Sequence, residues 1–210
     1  EAGPRVWQDG GRVVCHCEMV CAGEIETALS GPVPAVDLDG IRRRTRALTG
    51  RCGAFHCLAE VGALAAERSG RPAQDWLASE YAARGWEVDR YTIDEVAIAG
   101  LPGFSPIVDV DYSKAVQVVA THRVAKPQGR SLILQGHIDV VPPGAAELWD
   151  RDPFDPAIID GWMHGRGTAD MKSGVSAMVF ALDALRAIGL EPAATVHVET
   201  VSEEECTGNG

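Results

Sequence analysis

Two tight pairs of cysteines, Cys15-His16-Cys17 and Cys52-Gly53-Ala54-Phe55-His56-Cys57, constrain the start of this 210-residue chain more than any other feature. The stretch between them can fold as a helical hairpin, and four thiols gathered in that way suit a metal centre. The competing readings are buried thiols or disulfides. No charged n-region followed by an apolar h-region opens the chain, which makes disulfides the weaker option. Four cysteines hold either zinc or an iron-sulfur cluster, and a pair with one intervening residue is unlike the spacing of two to four residues usual for zinc.

Around the pairs the chain reads as a small, loop-rich helical unit. Glu24 to Leu29, Asp37 to Leu48 and Phe55 to Arg68 carry helical spacing, the last with Leu58, Val61, Leu64 and Ala65 on one face. Ser69-Gly70-Arg71-Pro72 then punctuates the sequence, giving an expected division into residues 1–69 and 70–210. Beyond it the pattern alternates. Ala73 to Arg84 and Lys172 to Ile188 read as helices, the second with Val175, Met178, Val179, Leu182 and Leu185 in register. Glu87 to Ile93, Ala115 to Val124, Ser131 to Gln135 and Ala194 to Val201 read as strands, the third of them buried. The expected fold class is therefore α/β: a small helical domain followed by an α/β domain with a largely parallel sheet.

Charge separates the two parts. The net charge is -11, and after residue 70 the chain holds 11 Lys and Arg against 21 Asp and Glu. An acidic domain has no footprint for phosphate backbones, which excludes nucleic acid as a partner, whereas clustered carboxylates suit a divalent metal. No apolar run approaches the roughly 18 residues of a membrane span, and the expected location is cytoplasmic.

The carboxylates come with a histidine. The apolar strand Ser131 to Gln135 delivers His137 to the carboxyl edge of the sheet, where sites form in α/β proteins. Asp139 follows at a spacing that lets it hold the other ring nitrogen of a metal-bound histidine. Asp170, in Gly165-Arg166-Gly167-Thr168-Ala169-Asp170-Met171-Lys172, immediately precedes a helix; it serves there as a cap, or as a carboxylate bridging two cations about 3.5–4 Å apart. Glu203, Glu204 and Glu205 end the last strand, either as a solvated turn or as acids whose repulsion a metal relieves.

Two resemblances order these readings. Val13-Val14-Cys15-His16-Cys17-Glu18, Gly23-Glu24-Ile25, Arg42-Arg43-Arg44-Thr45-Arg46 and Gly50-Arg51-Cys52 together resemble the bacterioferritin-associated-ferredoxin-like domain, over about residues 10–68. The resemblance implies a 2Fe-2S cluster held by Cys15, Cys17, Cys52 and Cys57, with a flavoprotein of the FAD-dependent oxidoreductase class as partner. Arg42, Arg43, Arg44, Arg46 and Arg51 then either offset the cluster's negative charge or form a solvated helix face. Cys21 is read as a spare thiol, and His16 and His56 as neighbours of the cluster.

The three later segments, in their order, resemble the zinc aminoacylase and carboxypeptidase family that includes acetylornithine deacetylase, succinyl-diaminopimelate desuccinylase and carboxypeptidase G, from about Pro72 to Gly210. By that resemblance His137 is similar to the ligand of one zinc and Asp139 to its supporting acid. Asp170 is similar to the bridging carboxylate, Glu204 to the general base and Glu205 to a ligand of the other zinc. Gly208 favours Glu204-Glu205 over Glu203-Glu204 as the base and ligand pair. Glu203 stands where Asp is more usual, and Ser173 replaces a usual glycine. The implied function is hydrolysis of amide bonds in N-acyl amino acids or small peptides, with two zinc ions or another divalent metal such as cobalt.

Family members continue beyond this point with another carboxylate, a distant histidine and a small domain for dimerisation and substrate recognition. His122, His164 and His197 are the other histidines of this half; His197 is read as structural and His164 as lying near the Asp170 loop. The chain begins at Glu1 and ends within a motif, so it is expected to be a fragment or a fusion, with two protein ligands per metal and no dimerisation domain. The alternatives to a hydrolase are an electron-transfer module of a flavin-dependent oxidoreductase and an inactive product of fusion or truncation.

Overall fold

The computed structural model describes residues 10–54, 56–106 and 111–210. The chain forms two compact units that divide between Glu80 and Tyr81. That division falls inside a helix.

In the first unit, β1 (Val13–Cys15) pairs antiparallel with β2 (Val20–Cys21), and Cys17 lies in the turn between them. Helix α1 (Ala22–Ser30) starts against β2; the Glu24 carboxylate accepts from Cys21 N at 3.0 Å, satisfying one of the amides left free at a helix start. Asp37 caps α2 (Leu38–Thr45) by accepting from Gly40 N. Helix α3 (Leu58–Ser69) begins directly after Cys57 and ends on Gly70. The expected helices ran through Leu48 and began at Phe55, which lies outside the described residues. The chain instead leaves helical geometry at Arg46, because Arg46, Leu48 and Ala54 adopt positive φ. The cysteine-bearing segment is therefore wound as tight turns.

The face of α3 marked by Leu58, Val61, Leu64 and Ala65 is buried, as helical spacing requires, with Val14, Val20, Ile25, Leu38 and Ile41 also in this core. Helix α4 (Ala73–Ala83) follows and contributes buried Trp76.

The second unit is built on a four-stranded sheet of β3 (Glu87–Thr92), β4 (Val116–His122), β5 (Leu132–His137) and β8 (Val196–Val201), in the order β3-β4-β8-β5. The short helix α5 (Glu95–Ile98) lies between β3 and β4, and a hairpin of β6 (Ala157–Ile159) and β7 (Trp162–His164) precedes the long helix α6 (Ser173–Ala187). The α/β reading holds, but the sheet is mixed. β3 with β4 and β4 with β8 are antiparallel, and β5 with β8 is parallel.

The physical reason lies in the connections. Between β5 and β8 runs α6, long enough for a parallel crossover, whereas between β3 and β4 the described chain offers only a four-residue helix and a 3-10 turn. Nor is β5 buried along its length. It is an edge strand among those described, with Leu132 49% and Ile133 59% exposed, and only its end, Gly136 and His137, is enclosed. The core comprises Val118 and Ala120 of β4, Val196 and Val198 of β8, and Val175 and Val179 of α6; each buried valine contributes about 1.5–3 kcal/mol. Among the described residues no helix is long and apolar enough to cross a membrane.

Candidate metal centres

At the closed end of β5, the last rung of its ladder pairs His137 with Val201, so both strands deliver their following residues to one edge. Ile138 N extends the pairing by donating to Val201 O at 2.9 Å. His137 is 4% exposed, yet its two ring nitrogens face polar partners. Nε2 lies 3.1 Å from Asp170 Oδ1 and 3.7 Å from Glu204 Oε2, while Nδ1 lies 3.1 Å from the Asp139 carbonyl and 3.5 Å from the Asp139 carboxylate.

Asp170 reaches the histidine because the helical turn Thr168–Lys172 breaks there. Its φ of -115° and ψ of 104° are extended, which throws the carboxylate outward. It bonds His137 and caps neither that turn nor α6. Donor atoms of His137, Asp170 and Glu205 lie within 4.8 Å of one another. One imidazole and two carboxylates form a donor set for zinc, cobalt or manganese. His137 Nε2 and Asp170 Oδ1 face each other at 3.1 Å with Glu205 beside them, so the residues fit such a centre.

Asp139 does more than the sequence suggests. Its Oδ2 accepts from Glu205 N at 3.0 Å, tying the histidine loop to the glutamate loop. The three glutamates differ in surroundings. Glu203 is buried at 9% exposure with φ of 78°, Glu204 is exposed, and Glu205 is half-buried. His164 is exposed and outside the cluster, and His197 Nδ1 lies 3.1 Å from Thr121 Oγ1 in the sheet, a structural partner. Ser173 Oγ donates to Ala169 O at 3.0 Å and is not among the clustered donors.

Lys172 is the residue that sequence reading passes over. Its Nζ donates to Ile138 O at 2.8 Å, and burial pulls its pKa down while the nearby Asp139 and Glu205 push it up. A lysine two residues after the candidate bridging carboxylate, at the start of a helix, is the signal that would have found it. Gly167 gives it room: φ is 75°, and a Cβ there would lie 2.5 Å from Val140 Cγ1 and 2.8 Å from Lys172 Nζ. Gly167→Ala is expected to lower stability by about 1–3 kcal/mol through the strained φ and the displaced lysine, checked by denaturant unfolding.

The cysteine centre is assembled across the two sequence pairs. The Cys17 thiol shares a hydrogen bond with Cys52, which raises its pKa. Burial pushes Cys57 well above its ordinary value, and Cys15 beside it pushes the same way. Cys15 and Cys57 lie inside, Cys52 is half-buried and Cys17 is exposed; all four are free thiols. Gly50 passes directly over Cys17, where a Cβ would come within 2.2 Å of Cys17 Cβ. Two buried and two more accessible thiols, with Gly50 packed on Cys17, fit a small iron-sulfur cluster. His16 is lowered by burial, then by the neighbouring His56.

The arginines are mostly engaged elsewhere. Arg42 Nη2 donates to both oxygens of Glu80 at 3.1 Å, Arg43 pairs with Asp39, Arg44 donates to Val33 O and Gly40 O, and Arg46 lies 2.8 Å from Glu18. Arg42, Arg43 and Arg46 thus meet carboxylates within the unit.

Comparison with known proteins agrees with this division of chemistry. Residues 133–210 match the sequence model of the peptidase family M20/M25/M40, and residues 13–67 match that of the BFD-like 2Fe-2S binding domain. Succinyl-diaminopimelate desuccinylase of Xanthomonas oryzae pv. oryzae (strain PXO99A) is 49% identical over 86 residues, 41% of this chain and 22% of that protein. The enzyme of the same name from Polaromonas naphthalenivorans (strain CJ2) is 35% identical over 111 residues, 52% of this chain and 27% of that protein. The matched segment thus spans about a quarter of the length of these relatives. Among solved structures the di-peptidase Dug1p from Saccharomyces cerevisiae aligns with a TM-score of 0.50 at 21% identity, over 64% of this chain and 27% of that one, a likeness of fold.

Proposed function

We propose that the second unit is the catalytic part of a metal-dependent amidohydrolase that cleaves N-acyl amino acids or small peptides, and that the first unit holds a 2Fe-2S cluster through Cys15, Cys17, Cys52 and Cys57. The observation that carries the first half is the convergence of His137, Asp170 and Glu205 on one point, with Glu204 beside His137. The matches to the peptidase family and to the desuccinylases support the same reaction class.

His137 and Asp170 would hold one divalent ion and Asp170 and Glu205 a second, zinc or cobalt. When bound, such ions polarise an amide carbonyl and acidify water. Glu204 takes a proton from the attacking water at its carboxylate and returns it to the leaving nitrogen. It must stay off the metal for this, because a coordinated carboxylate is too weak a base. Asp139 orients His137 from the Nδ1 side and Glu205 from its backbone amide.

Each ion would have two protein donors among the described residues, one fewer than the three usual at a catalytic zinc. Binding is therefore expected to be weak, well short of the roughly 10–16 kcal/mol of structural zinc sites, and to fall further in Asp170→Asn. Calorimetric titration with zinc and cobalt, followed by hydrolysis of N-succinyl and N-acetyl amino acids and dipeptides, tests it. Metal binding indifferent to Asp170→Asn would sink the assignment.

The second reading, electron transfer, rests on the four free thiols gathered in the first unit and on the match over residues 13–67. A flavoprotein is the partner that such a cluster would serve. The cytoplasm is the compartment in which free cysteines persist.

A further inference from the structure

Glu204 and Glu205 sit on a loop that carries three consecutive negative charges and leaves β8 at Ser202. Two sets of side chains from earlier in the chain grip it. On the strand side, Gln117 of β4 is only 2% exposed although its neighbours Val116 and Val118 are apolar core residues. Ser202 N donates to Gln117 Oε1 at 2.9 Å, Gln117 Nε2 donates to Ser202 O at 3.2 Å and to Ser202 Oγ at 3.0 Å, and Ser202 Oγ donates to Val116 O at 3.2 Å.

On the far side lies a directed chain. Asn209 Nδ2 donates to the Tyr112 hydroxyl at 3.0 Å, the Tyr112 and Thr207 hydroxyls share a hydrogen bond of 2.5 Å, and Thr207 Oγ1 donates to Glu203 Oε2 at 3.4 Å. Asn209 is itself anchored by Ser105, through Nδ2 to Ser105 O at 2.8 Å and from Ser105 N to Oδ1 at 3.1 Å. Gly208 N donates to Glu203 O at 2.8 Å and closes the turn. The two acids of the metal centre are thus suspended between two polar clamps. Glu203, buried and left-handed, turns inward to take the hydroxyl of Thr207.

We propose that Tyr112, Thr207 and Gln117 are positioning residues of the metal centre, fixing Glu204 and Glu205 through the loop without touching the ion. The inference rests on the metal reading above, and goes beyond it because Tyr112 and Gln117 lie outside residues 133–210, the segment that carries the family match. The physical case is that a loop of three adjacent acids resists compaction, and hydrogen bonds from outside hold it where the ligand and the base are wanted. Supporting groups of this kind are worth about 10- to 100-fold in metal affinity.

The test is cobalt titration of the full chain, followed by calorimetry and by the visible spectrum, which reports the geometry of the bound ion. Tyr112→Phe and Thr207→Val are each expected to weaken cobalt binding about 10-fold or more and to alter the visible bands. Thr207→Ser, which keeps the hydroxyl, should restore both, and Tyr91→Phe on β3 should change neither. Thr207 lies on a partly exposed loop, so Thr207→Val keeps the proposal testable if Tyr112→Phe fails to fold. Cobalt binding and spectra in Tyr112→Phe and Thr207→Val equal to those of the unaltered chain would overturn it. So would a loss in Thr207→Ser as large as in Thr207→Val. Failure of the metal reading looks different: the unaltered chain then shows no saturable binding, and the positioning proposal falls with it.

Discussion

Replacing Glu204 by glutamine is expected to leave divalent-metal binding close to that of the unaltered chain while lowering amide hydrolysis by about 10²- to 10⁴-fold. The amide keeps the shape and reach of the carboxylate but cannot take the proton of the attacking water. The surroundings of the three glutamates argue for this order of roles. Glu203 is buried, at positive φ, and directed at Thr207, so it has no path to substrate. Glu205 belongs to the donor cluster and has its amide fixed by Asp139. Glu204 is the exposed one, with its Oε2 3.7 Å from His137 Nε2, where a base beside the metal would stand. Glu205→Gln should accordingly reduce metal affinity, since a neutral oxygen is a poorer ligand, and Glu203→Gln should change turnover little. Metal affinity measured beside turnover for all three variants decides the matter. If Glu203→Gln is the one that keeps its metal and loses its activity, the register is off by one residue and Glu203 is the base.

How much of this is legible in the sequence depends on how local each feature is. The stripe of Leu58, Val61, Leu64 and Ala65 predicts its own burial, because helical periodicity needs only one helix to be read. Convergence of His137, Asp170 and Glu205 is legible through the order of the motifs and the strand ends that carry them. Strand direction is not, since alternation of strands and helices says nothing about which connections contain a crossover; β3 and β4 turn out antiparallel. Burial of β5 is also misread: an apolar run looks the same in an edge strand as in a central one, and Leu132 and Ile133 are exposed. The contact of Asp139 with Glu205 N joins residues 66 apart, and the grip of Gln117 on Ser202 joins residues 85 apart. Only a buried glutamine among valines hints at the latter, and only once β4 is known to be packed on both faces.

Cys52→Ser is expected to abolish the visible absorbance of the reconstituted protein, and Cys21→Ser to leave it unchanged. Cys52 shares a hydrogen bond with Cys17 on the outer side of the cysteine group, so its loss opens the side where Cys15 and Cys57 cannot substitute. Cys21 is buried at the start of α1, where its backbone amide is bound by Glu24; burial, and then Glu24, raise its thiol. Its work there is helical rather than metal-binding. Gly50→Ala provides the steric counterpart without touching a thiol. An added Cβ would lie 2.2 Å from Cys17 Cβ, and contact between backbone-attached carbons cannot be relieved by rotating a flexible end. Either Cys17 or the turn that carries Cys52 must move. Iron and acid-labile sulfide per chain should therefore fall in Gly50→Ala, though less completely than in Cys52→Ser. Uptake of zinc in place of iron on anaerobic reconstitution of the unaltered chain would contradict the cluster assignment, because the same four thiols would then have chosen a tetrahedral ion over a two-iron centre.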